Sequence, residues 1–224
     1  MARVVSGIIF DLDGTLIDSA PDIHAGVIDM LRAEGLPETT FQETKSFIGK
    51  GVAALISQVL AAKGIAETPE LVDRLSRRFH ETYETAVTLT NFYPGAEACL
   101  RQLHADGFQL GLCTNKPEAP THAVLKHLGI HELFTGFAFG DGPYARKPDP
   151  APVRHVIDQM HARHFLYVGD SETDAATAKN AGLPMALFTE GYRKTPVEDL
   201  YHDARFDHFD QLRAIVDRLA PLPE

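Results

Sequence analysis

The residues VVSGIIFDLDGTLIDS, numbered 4–19, join a strand pattern to a closely spaced pair of acids. The run from Val4 to Phe10 is β-rich and almost entirely apolar, which is typical of a central strand buried on both faces of a parallel sheet. Asp11 and Asp13 follow it with one leucine between them. Two carboxylates directly after a buried strand indicate a functional site at the end of that strand.

The composition of the chain restricts its class. It has 224 residues, ordinary hydrophobic content and a formal net charge of −10, so it is a poor non-specific binder of nucleic acid or of an anionic membrane. We find no export signal and no apolar run long enough to span a bilayer. Cys99 and Cys113 do not form a CxxC pair, which favours a reducing, cytoplasmic location. The oligomeric state, monomer or homodimer, stays open.

Further apolar runs recur along the chain at 109–114, 136–140, 165–170 and 185–189. Amphipathic helical patterns separate most of them, and one such pattern ends at Gly182. This alternation predicts an α/β fold in which a doubly wound, Rossmann-like parallel sheet forms the core.

Residues 18–91 interrupt the alternation, because they show helical patterns and no strand candidate. Ser19 followed by Pro21 predicts a hydroxyl-capped helix start, and 52–62 and 71–83 predict two further helices. We therefore predict an inserted all-helical cap domain at 18–91 and a catalytic core made of 1–17 and 92–224.

Chemically useful side chains follow several of the predicted strands. Ligands of parallel α/β sheets bind beyond the carboxyl ends of the strands, so these side chains are expected to converge. They are Asp11, Asp13, Thr114, Asn115, Lys116, Arg146, Lys147, Asp170, Ser171, Glu172 and Asp174. Neighbouring carboxylates repel one another unless a cation lies among them, and their hard oxygen atoms suit Mg²⁺. One carboxylate could attack phosphorus, and a second could move protons.

Four ordered motifs carry a resemblance to a known family. FDLDGTLIDS (10–19), CTNK (113–116), RKPDP (146–150) and GDSETD (169–174) resemble the motifs of the haloacid-dehalogenase-like phosphatases in order and spacing. The helical insert between the first two motifs resembles the C1 cap of this superfamily.

The resemblance implies a catalytic role for three residues. It implies that Asp11 is the nucleophile and that Asp13 is the general acid and base. Lys147 would neutralise charge on the nucleophile and the phosphate.

The resemblance also implies binding roles. Thr114 and Asn115 would bind the phosphoryl group. The Mg²⁺ ligands would be Asp11, the backbone carbonyl of Asp13 and Asp170, and Asp174 would support or join them.

Within the superfamily, the runs TNKPEA, YVGDSETDAATAKNAGLP and FTEGYRKTP resemble bacterial phosphoglycolate phosphatases. This likeness implies a Mg²⁺-dependent enzyme that hydrolyses the small substrate 2-phosphoglycolate. Lys50 lies in a Gly-Lys-Gly turn of the insert, where two interpretations stay open. The loop could cover the site, with Lys50 or a backbone amide meeting the substrate carboxylate, or Lys50 could lie in solvent.

Several alternatives remain at this point. Phosphatases of sugar phosphates or nucleotides share much of the pattern, and only kinetics would separate a phosphomutase of the β-phosphoglucomutase kind. Asp13, Gly14 and Thr15 argue against a dehalogenase, and the first motif does not resemble that of a phosphonatase. A non-catalytic binding module is disfavoured, because all the acids and Lys147 are present.

Overall fold

The computed structural model describes residues 6–221 and has a parallel six-stranded sheet at its centre. The order of the strands is β5-β4-β1-β6-β7-β8, so β1 lies in the interior of the sheet. In chain order the elements are β1 (Ser6–Phe10), β2 (Ile17–Asp18), α1 (Ala20–Ala33), α2 (Phe41–Phe47), α3 (Val52–Ala62), α4 (Pro69–Tyr83), β3 (Asn91–Phe92), α5 (Ala96–Ala105), β4 (Gln109–Cys113), α6 (Glu118–His127), β5 (Phe134–Ala138), α7 (Ala151–Gln159), β6 (His164–Gly169), α8 (Glu172–Ala181), β7 (Met185–Phe188), β8 (Ala204–Phe206) and α9 (Leu212–Leu219).

Both faces of the sheet are buried, as the apolar strand runs predict. Successive side chains of β1 point to opposite faces, so Ile8 and Phe10 pack with residues of α5, α6 and α9, whereas Ile9 packs with residues of α7 and α8. Helices on both sides of a parallel sheet confirm the predicted doubly wound fold class. Within residues 6–221, no helix is both long enough and apolar enough to cross a bilayer.

The helices α1 to α4 form a separate hydrophobic cluster. Val27 of α1, Ile56 of α3 and Phe79 of α4 are among its buried members. Thr40 and Glu43 form a reciprocal capping box at the start of α2, and Thr68 caps α4. A separate core supports the cap-domain hypothesis, although the boundaries at 17/18 and 91/92 stay a prediction.

Ile17 and Asp18 pair antiparallel with Phe92 and Asn91 in a two-stranded ribbon. The two segments run side by side where the chain leaves and re-enters the core. Each segment therefore forms backbone hydrogen bonds with the other segment.

The predicted hydroxyl cap at Ser19 is wrong. The Ser19 side chain makes no capping hydrogen bond and instead donates from Oγ to Asp13 Oδ1 at 2.5 Å. The Tyr192 Oη accepts from the backbone N–H groups of Ser19 and Ala20, at 2.9 and 3.0 Å, and donates to Asp18 Oδ1 at 2.6 Å. A core side chain therefore satisfies the first amides of α1.

Two other expectations need correction. The strand expected at 136–140 lies at Phe134–Ala138, because the chain leaves the sheet where Gly140 N–H donates to the Lys116 carbonyl. The short strand β8 was not predicted, since only its two outer residues, Ala204 and Phe206, are buried. Val4 and Val5 of the predicted first strand lie outside the described residues.

Candidate active site

The carboxyl ends of β1, β4 and β6 meet at one edge of the sheet, as the sequence predicts. Asp11 follows β1, Thr114 follows β4 and Asp170 follows β6, and all three are buried. They line a cavity between the sheet edge and the insert. The insert lines the opposite wall with Ile23, Ile48, Gly49, Gly51, Val52, Leu55, Phe79 and Tyr83.

Lys147 joins two of the carboxylates. Its Nζ donates to Asp11 Oδ1 and to Asp174 Oδ1, both at 2.7 Å, and to the Tyr167 Oη at 3.1 Å. Burial raises the pKa of Asp11 to about 7, although the attraction of Lys147 opposes this shift. Burial works to lower the pKa of Lys147, but attraction to Asp11 and Asp174 prevails and raises it above its ordinary value. Lys147 is therefore a permanent cation beside Asp11.

Asp174 is held by hydrogen bonds on both carboxylate oxygens. Oδ1 accepts from Lys147 and from Tyr167, the latter at 3.0 Å. Oδ2 accepts from the Ser171 Oγ at 2.6 Å and from the Ser171 backbone N–H at 3.1 Å. Ser171 Oγ in turn accepts from the Asp174 N–H, which completes a capping box at the start of α8. Asp174 thus positions Lys147 and stabilises the first turn of α8.

Asp170 is almost completely buried and has one donor on each oxygen. Thr15 Oγ1 donates to Oδ1 at 2.7 Å, and the Tyr192 N–H donates to Oδ2 at 2.6 Å. Burial, followed by repulsion from Asp174 and Asp11, raises the pKa of Asp170 well above its ordinary value. Gly14 has a φ of +93°, and a Cβ there would lie 2.6 Å from Asp170 Oδ2. The first motif therefore needs glycine at this position.

The donor set at this edge fits a divalent metal ion. Carboxylate oxygens of Asp11, Asp170 and Asp174 lie within 4.8 Å of one another, and all three residues are buried. Buried anions in close proximity are unfavourable unless a cation neutralises them. Hard oxygen donors favour Mg²⁺, Ca²⁺ or Mn²⁺ over softer metals.

The side chain of Asp13 points away from this cluster and toward a second lysine. Lys116 Nζ donates to Asp13 Oδ1 at 3.1 Å, and it also contacts the Tyr83 Oη of α4. Burial works to lower the pKa of Lys116, but attraction to Asp13 and Tyr83 raises it above its ordinary value. The sequence predicts that Lys116 lies at a strand end but assigns no catalytic or binding role to it. Its position beside Thr114 and Asn115 in CTNK was the available signal.

Thr114 and Asn115 both line the cavity, and Asn115 also joins three segments. Asn115 Nδ2 donates to the Gly49 carbonyl at 3.0 Å and to the Lys147 carbonyl at 3.3 Å. Its Oδ1 accepts from the Lys147 N–H at 3.1 Å. Thr114 Oγ1 accepts from the Lys116 N–H at 3.1 Å, which leaves the hydroxyl proton for another acceptor. The Asn115 side chain therefore connects three segments of the chain, whereas the Thr114 hydroxyl can still donate a hydrogen bond to a ligand.

The structure does not bring the Lys50 side chain to the other predicted site residues. Lys50 is exposed and does not line the cavity, whereas its neighbours Gly49 and Gly51 do. Sequence reasoning missed the contributions of Tyr83 and Tyr167. Tyr167 lies between Leu166 and Val168 in β6, and Tyr83 is the last residue of α4, at helical spacing from Phe79. Both patterns predict core packing and carry no sign of a site.

The chain is similar to known proteins over most of its length. A family model described as haloacid dehalogenase-like hydrolase matches residues 8–188. The phosphoglycolate phosphatase of Cereibacter sphaeroides (strain ATCC 17029 / ATH 2.4.9) is 50% identical over 214 residues, which cover 95% of this chain and 98% of that relative. The phosphoglycolate phosphatase of Rhodobacter capsulatus is 42% identical over 212 residues, which cover 94% of this chain and 96% of that relative.

A solved structure has the same fold. The crystal structure of a predicted phosphoglycolate phosphatase from Haemophilus somnus 129pt matches with a TM-score of 0.88 and 28% sequence identity. The match covers 95% of this chain and 98% of that chain. The sequence and structural matches thus span both the sheet and the helical insert.

Proposed function

The chain belongs to the haloacid dehalogenase-like hydrolase family, and from that premise we propose that it hydrolyses 2-phosphoglycolate to glycolate and phosphate with Mg²⁺ as cofactor. The observation that carries the proposal is the position of Asp11. Its carboxylate follows the interior strand β1 and lines the cavity, with Lys147 Nζ at 2.7 Å. A buried carboxylate beside a fixed cation is suited to attack an anionic phosphate ester.

The first chemical step transfers the phosphoryl group to Asp11. A carboxylate oxygen of Asp11 attacks phosphorus, and the bond from phosphorus to the glycolate oxygen breaks. Asp13 donates its proton to that oxygen, so the leaving oxygen of glycolate becomes a neutral hydroxyl group. Lys147 stabilises the charge that is shared between Asp11 and the phosphoryl oxygens. Thr114 is placed to donate its hydroxyl proton to the phosphoryl group.

The second step restores the enzyme. Asp13, now ionised, accepts a proton from a water molecule, and the water oxygen attacks phosphorus. The bond from phosphorus to Asp11 breaks and inorganic phosphate is released. Asp11 is again a carboxylate and Asp13 is again protonated, so both groups end the cycle as they began it.

The residues that would hold Mg²⁺ are Asp11, Asp170 and the backbone carbonyl of Asp13. Asp170 has one hydrogen-bond donor on each oxygen, so each oxygen keeps a lone pair for a metal. Both oxygens of Asp174 already accept hydrogen bonds from Lys147, Tyr167 and Ser171, which favours a supporting role. When bound, the ion would neutralise charge on the phosphoryl oxygens.

The wall of the cavity formed by the insert supports a small leaving group. Its side chains are apolar except for the hydroxyl of Tyr83. A sugar or a nucleoside has several hydroxyl groups, and these would be buried without partners against such a wall. Glycolate has one methylene and one carboxylate, so only its carboxylate requires a polar or charged partner. The relatives named above are also called phosphoglycolate phosphatases.

The test is a comparison of kcat/KM across small phosphate esters with Mg²⁺ present. We expect 2-phosphoglycolate to exceed glucose 6-phosphate, β-glucose 1-phosphate and AMP by at least about 100-fold, a difference that unpaired buried hydroxyls can produce. Product analysis with β-glucose 1-phosphate also tests for mutase activity. A higher kcat/KM for a sugar phosphate or a nucleotide would refute the substrate assignment.

We also propose that the enzyme works in the reducing cytoplasm. Cys99 and Cys113 are both free, which supports a compartment in which thiols stay reduced.

A further inference from the structure

We propose that Lys116 is the cation that recognises the carboxylate of the leaving group, and that Tyr83 of the insert holds it in place. The proposal rests on the proposed function, because it concerns the substrate of the same site. It also defines the substrate class more narrowly as phosphate monoesters whose alcohol carries an anion close to the ester oxygen. Lys116 would then determine specificity among substrates that Asp11 can attack.

Two lysines and no arginine are among the described residues that line the cavity, namely Lys116 and Lys147. Lys147 is committed to Asp11 and Asp174 at 2.7 Å each, which places it on the phosphoryl side of the site. The Lys116 side chain is 5% exposed, and its ammonium is buried next to Asp13 and not beside Asp11 or Asp174. A buried ammonium that faces a ligand cavity is costly unless anions meet it.

The position of Lys116 relative to Asp13 matches the shape of glycolate. Asp13 must reach the ester oxygen in order to protonate it, and Lys116 Nζ lies 3.1 Å from Asp13 Oδ1. Lys116 therefore lies beside the site of the ester oxygen. In 2-phosphoglycolate, a single methylene separates that oxygen from the carboxylate carbon. A carboxylate on so short a leaving group falls close to this ammonium.

Tyr83 makes this arrangement dependent on the insert. Its hydroxyl oxygen accepts from Lys116 Nζ, which leaves its own proton for a second anion such as the substrate carboxylate. The ammonium also lies 4.5 Å from the centre of the Tyr83 ring, in a cation–π contact. The ring stacks on Phe79 at 4.6 Å, which fixes its orientation. The insert thus supplies both a support for the cation and one further donor.

The experiment compares 2-phosphoglycolate with its carboxamide, which has the same size but no carboxylate charge. We measure kcat and KM for both esters with the wild-type chain, Lys116→Met and Lys116→Gln. The Gln variant keeps a hydrogen-bonding group next to Asp13 and replaces Met if the latter does not fold. Loss of a charge-assisted hydrogen bond predicts that the preference for the carboxylate falls about 10- to 100-fold. We expect most of this change in KM.

Binding of a non-hydrolysable ligand gives a readout that does not depend on turnover. Titration calorimetry with 3-phosphonopropionate and Mg²⁺ should show about 10-fold or more weaker binding to either Lys116 variant. The corresponding amide should bind both forms with similar affinity. Lys126→Met is the matched control, because Lys126 is an exposed lysine on α6, and it should behave as the wild type.

The outcomes separate this proposal from the proposed function. If the wild type prefers the carboxamide, or cleaves neither ester, the substrate assignment fails and this proposal fails with it. If the wild type prefers 2-phosphoglycolate but the variants lose both esters equally, only the role of Lys116 is overturned. The same conclusion follows if Lys50→Met removes the preference while Lys116→Met keeps it.

Discussion

Asn115 Nδ2 donates a hydrogen bond to the carbonyl oxygen of Gly49 at 3.0 Å, which joins the loop after β4 to the loop before α3 of the insert. The same amide group also bonds to the backbone of Lys147 through both of its ends. One side chain therefore links the phosphate side of the site, the Lys147 loop and the insert.

Replacement of the Asn115 side chain should loosen the contact between the insert and the core and disturb the position of Lys147. Asn115→Ala removes three hydrogen bonds, each worth about 1 kcal/mol, so we expect kcat/KM to fall about 10- to 100-fold. Steady-state kinetics measures this. Asn180→Ala is the control, because Asn180 donates to the Pro148 carbonyl from an exposed position, and it should keep wild-type kinetics. Equal kinetics for both variants would contradict the linking role.

Removal of the nucleophile should abolish turnover without unfolding the chain. Asp11→Asn keeps the size of the side chain but cannot form an aspartyl-phosphate, so we expect kcat to fall by at least about 1,000-fold. The assay is phosphate release, combined with acid-quench detection of phosphorylated protein. Circular dichroism should show an intact fold. Substantial remaining turnover would sink the assignment of Asp11.

Metal dependence should appear in both activity and stability. Chelation with EDTA should stop turnover, and added Mg²⁺ should restore it. Binding at 100 times the Kd stabilises a folded protein by about 2.7 kcal/mol, so Mg²⁺ should raise Tm by about 5 °C or more. Asp170→Asn should lose this Tm shift, because one of the proposed ligands is gone.

The control for the metal experiment is Asp158→Asn, which removes an exposed carboxylate of α7. It should show the same Mg²⁺-dependent Tm shift as the wild type. Turnover in the presence of EDTA, or an unchanged shift in Asp170→Asn, would refute the proposed metal site.

The raised pKa of Asp11 predicts the pH dependence of stability in metal-free protein. Its pKa is about 7 when folded, against an ordinary value of 3.8, so between these limits the folded state binds more protons than the unfolded state. The ionisation of Asp11 therefore lowers the free energy of unfolding as pH rises from about 4 to 7. Above pH 7, Asp11 causes no further decrease.

The measurement compares urea unfolding of the wild type and Asp11→Asn in EDTA at pH 5, 6, 7 and 8. The variant lacks this titration, so its free energy of unfolding relative to the wild type should rise by about 1–3 kcal/mol from pH 5 to pH 8. Mg²⁺ should reduce the difference, because it stabilises the charged carboxylate of the wild type. A difference that does not change with pH would contradict the shift.

Local patterns were sufficient for much of the sheet. Apolar runs such as 109–114 and 185–189 predict buried parallel strands, because burial on both faces leaves few polar positions. The strand at Phe134–Ala138 was placed two residues late, since the glycines at 136 and 140 do not define a strand end. The ribbon of β2 and β3 could not be predicted, because two residues contain too little periodicity.

The predicted site residues separate into those that the fold brings together and those that it does not. Lys147 bonds to Asp11 and Asp174, and Asp170 lies within 4.8 Å of both acids. Thr114 and Asn115 line the same cavity. Lys50 lies at the surface, although its loop reaches Asn115. Sequence spacing can place a loop near a site but cannot indicate which way a flexible side chain points.

The order of the motifs was enough to identify the family, the fold class and the acids at the strand ends, because strand periodicity and motif spacing are properties of neighbouring residues. The division of work among those groups depends on contacts between residues far apart in the chain. Lys116 meets Tyr83 of the insert, and Tyr192 satisfies the first amides of α1. Such pairings come from the packing of the insert on the core. They follow from distances in space, which no local pattern of residues contains.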